Sequence, residues 1–163
     1  MKTQYAFYFD ADRCINCQSC VVACKQWKGI QAGTFSLRRV KEITSGTFPA
    51  VTRRFASISC RHCAHAPCIE VCPTQAIVQR SDGIVIVNPA DCIGCKVCLE
   101  ACPFGAPQFN EDGIMQKCDM CLDRIAGGQV PICAATCPTR ALRWGTVAEM
   151  AEFAAAKAAS KPA

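Results

Sequence analysis

Nowhere in the 163 residues is there an apolar run long enough to span a bilayer as a helix. The opening MKTQYAFYFDADRC has one lysine and then mixed polar and aromatic residues, with neither the apolar stretch of a secretory leader nor a twin arginine. That points to an intracellular setting, where thiols stay reduced and a disulfide framework is disfavoured. The chain also lacks a glycine-rich nucleotide loop, a C-x3-C-x2-C triplet of the radical-SAM kind and a nucleophile with a base beside it. These absences speak against a stand-alone catalyst. Ordinary core residues are scarce too. The apolar share is 51%, but it counts cysteine; without cysteine it is roughly 41%, lean for a packed core. Whatever the thiols bind must help to hold the fold.

Cysteine is what the chain has in excess, with 16 of them. They fall into groups with none left over. Motif one, Cys14, Cys17, Cys20 and Cys24, has the spacing C-x2-C-x2-C-x3-C. Motif two, Cys60, Cys63, Cys68 and Cys72, is C-x2-C-x4-C-x3-C followed by Pro73. Motif three, Cys92, Cys95, Cys98 and Cys102, repeats the spacing of motif one and adds Pro103. Motif four, Cys118, Cys121, Cys133 and Cys137, is C-x2-C-x11-C-x3-C followed by Pro138. Disulfides fit such close pairs and such a compartment poorly. Zinc sites usually set two well-separated pairs against each other, so a zinc-stabilised interaction module is a weaker reading. The C-x2-C-x2-C-x3-C-P run is the bacterial arrangement for cubane iron–sulfur clusters. In it three thiolates on a tight loop grip one cluster, while the fourth cysteine points away to another.

The segments between motifs suit an α+β fold of two interleaved bacterial ferredoxin-like modules, each for two 4Fe–4S clusters, with short hairpins and helices. Residues 76–80 and 84–88 read as strands around Ser81-Asp82-Gly83, and the pattern recurs around Asn110-Glu111-Asp112-Gly113. Motifs one and four form an outer module over 1–59 and 103–145, with a basic hairpin inserted over 25–59. Motifs two and three form an inner module over 60–102, and a C-terminal helix and tail fill 146–163.

The stretches QYAFYFDADRCINCQSCVVACK, SISCRHCAHAPCIEVCP, DGIVIVNPADCIGCKVCLEACPFGAPQFN, KCDMC and PICAATCPTRAL resemble the iron–sulfur electron-transfer subunits of DMSO reductase-type molybdenum and tungsten oxidoreductases. The resemblance spans about residues 4–145. It implies an electron relay with no catalysis of its own. Its ligand sets would be Cys14, Cys17, Cys20 and Cys137 for cluster 1, and Cys118, Cys121, Cys133 and Cys24 for cluster 2. Cys60, Cys63, Cys68 and Cys102 would hold cluster 3, and Cys92, Cys95, Cys98 and Cys72 cluster 4. Some relatives have tryptophan at the position of Cys95 and bind a three-iron cluster there; the cysteine here implies four 4Fe–4S clusters. The implied partners are a molybdopterin- or tungstopterin-bearing catalytic subunit and a further redox subunit, a flavoprotein, a ferredoxin or a quinone-linked membrane anchor. The alternative within the same chemistry is a small free-standing polyferredoxin. Membrane-bound members have a long C-terminal extension that this sequence lacks, and compact members serve tungsten aldehyde oxidoreductase or formate-linked complexes. The resulting expectation is a cytoplasmic protein, with a place on the membrane surface or export beside a signal-bearing partner left open.

The formal charge of +5 becomes roughly −3 once four clusters with their thiolates add about −8. Between Lys25 and Ser59, however, Lys25, Lys28, Arg38, Arg39, Lys41, Arg53 and Arg54 face Glu42 alone. This reads as a hairpin with one basic edge, built on Arg38, Arg39, Arg53 and Arg54, which is either a solvated strand face or a seat for the catalytic subunit, and not a nucleic-acid site. GTVAEMAEFAAAKAAS reads as a helix with Thr146 and Glu149 as its capping box. Its face of Val147, Met150, Ala151, Ala154 and Ala158 is expected to lie on its own domain, with self-association as a further possibility. His62 and His65 read as loop residues near a cluster, and Trp27 and Trp144 as packing residues.

Overall fold

The computed structural model describes residues 3–160; residues 1–2 and 161–163, which the domain reading includes, lie outside the described residues. The first strand, β1 (Tyr5–Phe9), pairs antiparallel with β8 (Leu142–Thr146), from Tyr5 opposite Thr146 to Phe9 opposite Leu142. Across this ribbon Tyr5 stacks on Trp144, ring centroids 4.9 Å apart, a contact worth about 0.5–1.5 kcal/mol beyond its area. The other sheets are hairpins: β2 (Arg38–Ser45) with β3 (Thr52–Ser59), β4 (Ile77–Gln79) with β5 (Val85–Val87), and β6 (Gln108–Phe109) with β7 (Met115–Gln116). The expected turns are where the sequence marks them. Asp82 Oδ1 accepts the Ile84 amide at 3.1 Å, and Asn110 Oδ1 accepts the Ile114 amide at 2.8 Å.

The helices are short for a reason readable in the cysteine motifs. In motifs two, three and four the fourth cysteine precedes proline, whose ring cannot continue the helical ladder. Accordingly α2 (Pro67–Glu70), α3 (Val97–Glu100) and α5 (Ile132–Ala135) all stop short of it. The chain then turns left-handed at Gln75, Gly105 and Arg140, φ 55, 55 and 52. Their amides return to the carbonyls of Cys72, Cys102 and Cys137 at 3.2, 3.0 and 3.1 Å. Motif one has Lys25 in the proline's place, and α1 (Ser19–Trp27) runs on past Cys24. Helix α4 (Leu122–Ala126) follows Cys121. Helix α1 packs on α5, and α2 on α3, so motif one lies with motif four and motif two with motif three.

The core is small and largely sulfur. One cluster is Ala66, Ile77, Val85, Cys98 and Met115, with Cys63, Cys68, Cys72, Cys92 and Phe109 against it. The hairpin after Cys102 thus packs with the inner motifs. A second is Cys60, Ala106 and Cys118, bordered by Phe7 and Cys102.

Two expectations change. The basic edge on β2–β3 is divided: Arg38 is buried, 2% exposed, and Arg39 donates to the carbonyls of Phe104 and Gly105 at 2.8 and 3.0 Å. The pleat sends these neighbours to opposite faces, and the base of the hairpin has partners on both, leaving Lys41, Arg53 and Arg54 exposed toward its tip. Helix α6 (Val147–Ala159) has its capping box complete, but of its expected apolar face only Met150 is buried. It is held instead by Arg143, 4.4 Å from the centroid of the Phe153 ring, and by Lys157, which bridges Asp10 and Asp12. Among the described residues no helix is long and apolar enough to cross a membrane.

Candidate iron–sulfur centres

The first C-x2-C pair of each motif is bent by a left-handed residue just before its second cysteine: Asn16 (φ 56), His62 (φ 49), Gly94 (φ 68) and Met120 (φ 62). Successive amides in such a bend turn inward and form an anion-binding concavity. The amides of His62 and Met120 accordingly reach Cys60 Sγ at 3.5 Å and Cys118 Sγ at 3.4 Å. Others come from the segments that follow a motif. Ala106 N–H reaches Cys102 Sγ, Met115 N–H reaches Cys92 Sγ and Leu142 N–H reaches Cys137 Sγ, each at 3.4 Å.

Two cavities are built alike. One is lined by Cys14, Cys17, Cys20 and Cys137 with Ile15, Val40 and Leu142. The other is lined by Cys92, Cys95, Cys98 and Cys72 with Ile93, Phe109 and Met115. In both, three cysteines of one motif meet the fourth cysteine of another. The fourth has a threonine hydroxyl beside it, Thr139 at 3.8 Å from Cys137 and Thr74 at 3.7 Å from Cys72.

The remaining cysteines group through their mutual charges. Burial pushes the Cys24 thiol up to about 12, with Cys133 and Cys121 adding to it. Cys118 and Cys121 are raised chiefly by burial as well, with Cys133 adding to both. Cys63 and Cys68 are raised by burial first, with Cys60 and Cys102 adding in each case. Buried thiols of this kind stay protonated until a metal takes the proton's place, so assembly of the centres releases protons. Among the described residues no three such side chains converge as the ligands of a single metal ion. A mononuclear zinc site needs four sulfurs about 2.3 Å from one point; here two sets of four cysteines line cavities, and the amides aimed at the sulfurs suit the charge of a cluster.

Neighbouring groups lie within each other's electrostatic reach in series. Cys20 lies in the field of Cys133 as well as Cys137 and Cys14. Cys118 shares a core cluster with Cys60, and Cys98 feels Cys68 beside its own Cys95 and Cys92. Cys17 and Cys95, at the two ends of this series, are exposed, whereas Cys118, Cys121, Cys133 and Cys60 are buried. Motif one is further tied to motif four by Lys28, which reaches Asp119 at 2.9 Å and Asp123 at 3.3 Å, and by Trp27 Nε1, which donates to Asp123 at 2.6 Å. Trp27 is 44% exposed, under the Arg124 guanidinium, and so is a surface tie more than a packing residue. His65 is exposed, but His62 is wholly buried. Val85 N–H donates to His62 Nδ1 at 3.0 Å; burial and then Lys117 push its pKa down to about 3, leaving the ring neutral.

Sequence reasoning missed the buried cations. Lys117, 6% exposed, donates to the carbonyls of Val85 and Cys118, and Arg38 is deeper still. Neither differs in sequence from a surface cation; the only signal is a basic residue one or two positions from a buried cysteine or strand.

A family model for a 4Fe–4S dicluster domain matches residues 51–147, and one for a 4Fe–4S binding domain matches residues 5–26. Over 159 residues the sequence is 44% identical to the B subunit of the anaerobic dimethyl sulfoxide reductase of Escherichia coli, covering 92% of this chain and 77% of that one. It is 40% identical over 152 residues to the thiosulfate reductase electron transfer subunit PhsB of Salmonella typhi, covering 91% and 79%. Against the formate dehydrogenase iron-sulfur subunit of Wolinella succinogenes the figures are 42% over 167 residues, 88% and 82%. Four 4Fe–4S clusters are the cofactors that these matches and the sixteen cysteines support. The chain therefore belongs to the 4Fe–4S dicluster family of iron–sulfur electron-transfer subunits of DMSO reductase-type oxidoreductases, partners of a catalytic subunit and not catalysts themselves.

Proposed function

We propose that the sixteen cysteines hold their clusters by exchange between motifs. Cys14, Cys17 and Cys20 take Cys137; Cys118, Cys121 and Cys133 take Cys24; Cys60, Cys63 and Cys68 take Cys102; and Cys92, Cys95 and Cys98 take Cys72. The observation that carries this reading is the pair of twin cavities, each lined by three cysteines of one motif and the fourth of another. On this assignment the outer ferredoxin-like module is formed by motifs one and four. The inner one is built on 60–102, with the hairpin of β6 and β7 packed on it.

When bound, a fully cysteinyl cluster supplies one-electron oxidation and reduction and no open iron for substrate. The chain's own part is spacing and access. Helix pairs α1–α5 and α2–α3 hold the sets close within each module, and the Cys60–Cys118 contact joins the modules. The exposed loops at Cys17 and Cys95 present the ends to partners. Electrons pass between a molybdopterin- or tungstopterin-bearing catalytic subunit and a second redox subunit, a flavoprotein, a ferredoxin or a quinone-linked anchor. The exposed end of the β2–β3 hairpin helps to seat the catalytic subunit.

Anaerobically prepared protein is expected to contain about sixteen iron atoms. Changing Cys137→Ser should perturb the cluster gripped by motif one, and Cys24→Ser the cluster gripped by motif four, as read by electron paramagnetic resonance. Each serine perturbing its own motif's cluster instead defeats the exchange.

A further inference from the structure

Among the described residues, the buried side-chain nitrogens without a protein partner are Nε and Nη2 of Arg38, Nε2 of His62 and Nε1 of Trp144. With Val85 N–H on its Nδ1, the neutral His62 ring has its proton on Nε2. Every one of these orphans is therefore a donor, so what this interior lacks is acceptors. Arg38 holds two of them and a full charge. It is 2% exposed, its Nη1 donates to Ser57 Oγ at 2.8 Å, and its Cζ lies 4.5 Å from the centroid of the Phe7 ring. The ring covers the face of the guanidinium and leaves the in-plane N–H groups unmet. Among the described residues no carboxylate forms a salt bridge with it. Burial works against its charge, and the cysteine sulfurs of Cys133, Cys118, Cys20 and Cys24 favour it; Ser57, which holds its Nη1, lines the cavity of Cys14, Cys17, Cys20 and Cys137. The four that favour its charge come from the two sets that meet through motifs one and four, and from no other. A buried guanidinium with unmet donors is tolerable only where anionic acceptors complete it.

We propose that Arg38 is a cluster-tuning residue, its Nε–H and Nη2–H donating to the sulfurs of the two outer-module clusters and its charge lying at the junction between them. Positive charge and donated hydrogen bonds both favour the more negative, reduced state, so Arg38 raises the potentials of these two clusters relative to the inner pair. It also lowers the repulsion between electrons on adjacent clusters. Ser57 and Phe7 serve to aim it.

The inference rests on the reading that motifs one and four hold two clusters, and the iron count separates the two failures. Wild type, Arg38→Met, Arg38→Lys and Ser57→Ala proteins are prepared anaerobically, their iron is counted, and their clusters are titrated by electron paramagnetic resonance. Signals are assigned with the Cys137→Ser and Cys72→Ser variants. Arg38→Met is expected to lower the two outer potentials by about 59 mV or more, a tenfold shift in each one-electron equilibrium, and to leave the inner two unmoved. Arg38→Lys keeps the charge and restores part of the shift; Ser57→Ala shows a smaller fall in the same two clusters. Full iron in Arg38→Met with potentials unchanged, or all four shifted alike, overturns the role. If that variant loses clusters, Arg38→Lys and Ser57→Ala decide, and wild-type potentials in both overturn it. A wild-type protein with well under about sixteen iron atoms overturns the underlying reading instead.

Discussion

Met120 is held at φ 62 with its side chain wholly buried, a conformation that costs a bulky residue about 1–3 kcal/mol. The same bend is made at Gly94, where the need for glycine is twofold: φ is +68, and a Cβ would stand 2.6 Å from the Gly113 carbonyl oxygen. Gly94→Ala should therefore lose up to about four iron atoms per molecule, those gripped by Cys92, Cys95 and Cys98, along with part of its thermal stability. Gly113 is the control. Its φ is +75 but nothing lies within 4 Å, so Gly113→Ala should cost only about 1–2 kcal/mol and keep its iron. Equal iron loss in both would show that the close approach at Gly94 is immaterial. The glycine bend was legible in CIGC, and the one at Asn16 nearly so, because asparagine tolerates this region. His62 shares a weaker form of that tolerance; at Met120 no local preference announces the bend, and cysteine spacing and burial impose it on a side chain that resists it.

The β2–β3 hairpin illustrates the same limit for an element. Its existence follows from alternation, but which of its arginines face outward depends on where the strand base meets the cysteine core. Spacing could not supply that: Arg38 is buried, and Arg39, on the opposite face, is held by the Phe104 and Gly105 carbonyls. Lys41, Arg53, Arg54 and Phe48 remain exposed, Phe48 at 92%. The charge-reversed Arg53→Glu, Arg54→Glu protein is expected to keep its clusters and to bind the catalytic subunit at least about tenfold more weakly at low salt, the gap narrowing as salt rises. Co-purification unchanged at low salt would remove the hairpin from that interface. Helix α6 was legible in its cap and length, but not in its seat. An alanine-rich face has little to bury, so the Lys157 bridge to Asp10 and Asp12 and the Phe153–Arg143 contact hold it where apolar periodicity pointed to Ala151, Ala154 and Ala158.

Taken whole, the molecule changes the sign of its charge with its cofactors. The polypeptide is +5, and four clusters with their thiolates bring it to roughly −3. At pH 7 the intact protein should bind an anion exchanger, and the anaerobically chelated polypeptide should bind a cation exchanger; unchanged elution would mean that far fewer thiolates are engaged. The four cysteine motifs were legible because their spacing is local; the packing of motif one on motif four and of motif two on motif three could not be read from spacing, because it depends on helix pairs distant in sequence. The ribbon of β1 and β8 has one more consequence, in time and not in space. Tyr5 is made long before its strand partner Thr146. Until then β1 has no edge to bond, and Cys14, Cys17 and Cys20 stand without the Cys137 that shares their cavity. The inner motifs have all their cysteines once residue 102 has emerged. A nascent polypeptide can therefore be closed at its centre while its first motif still waits, open, for the last.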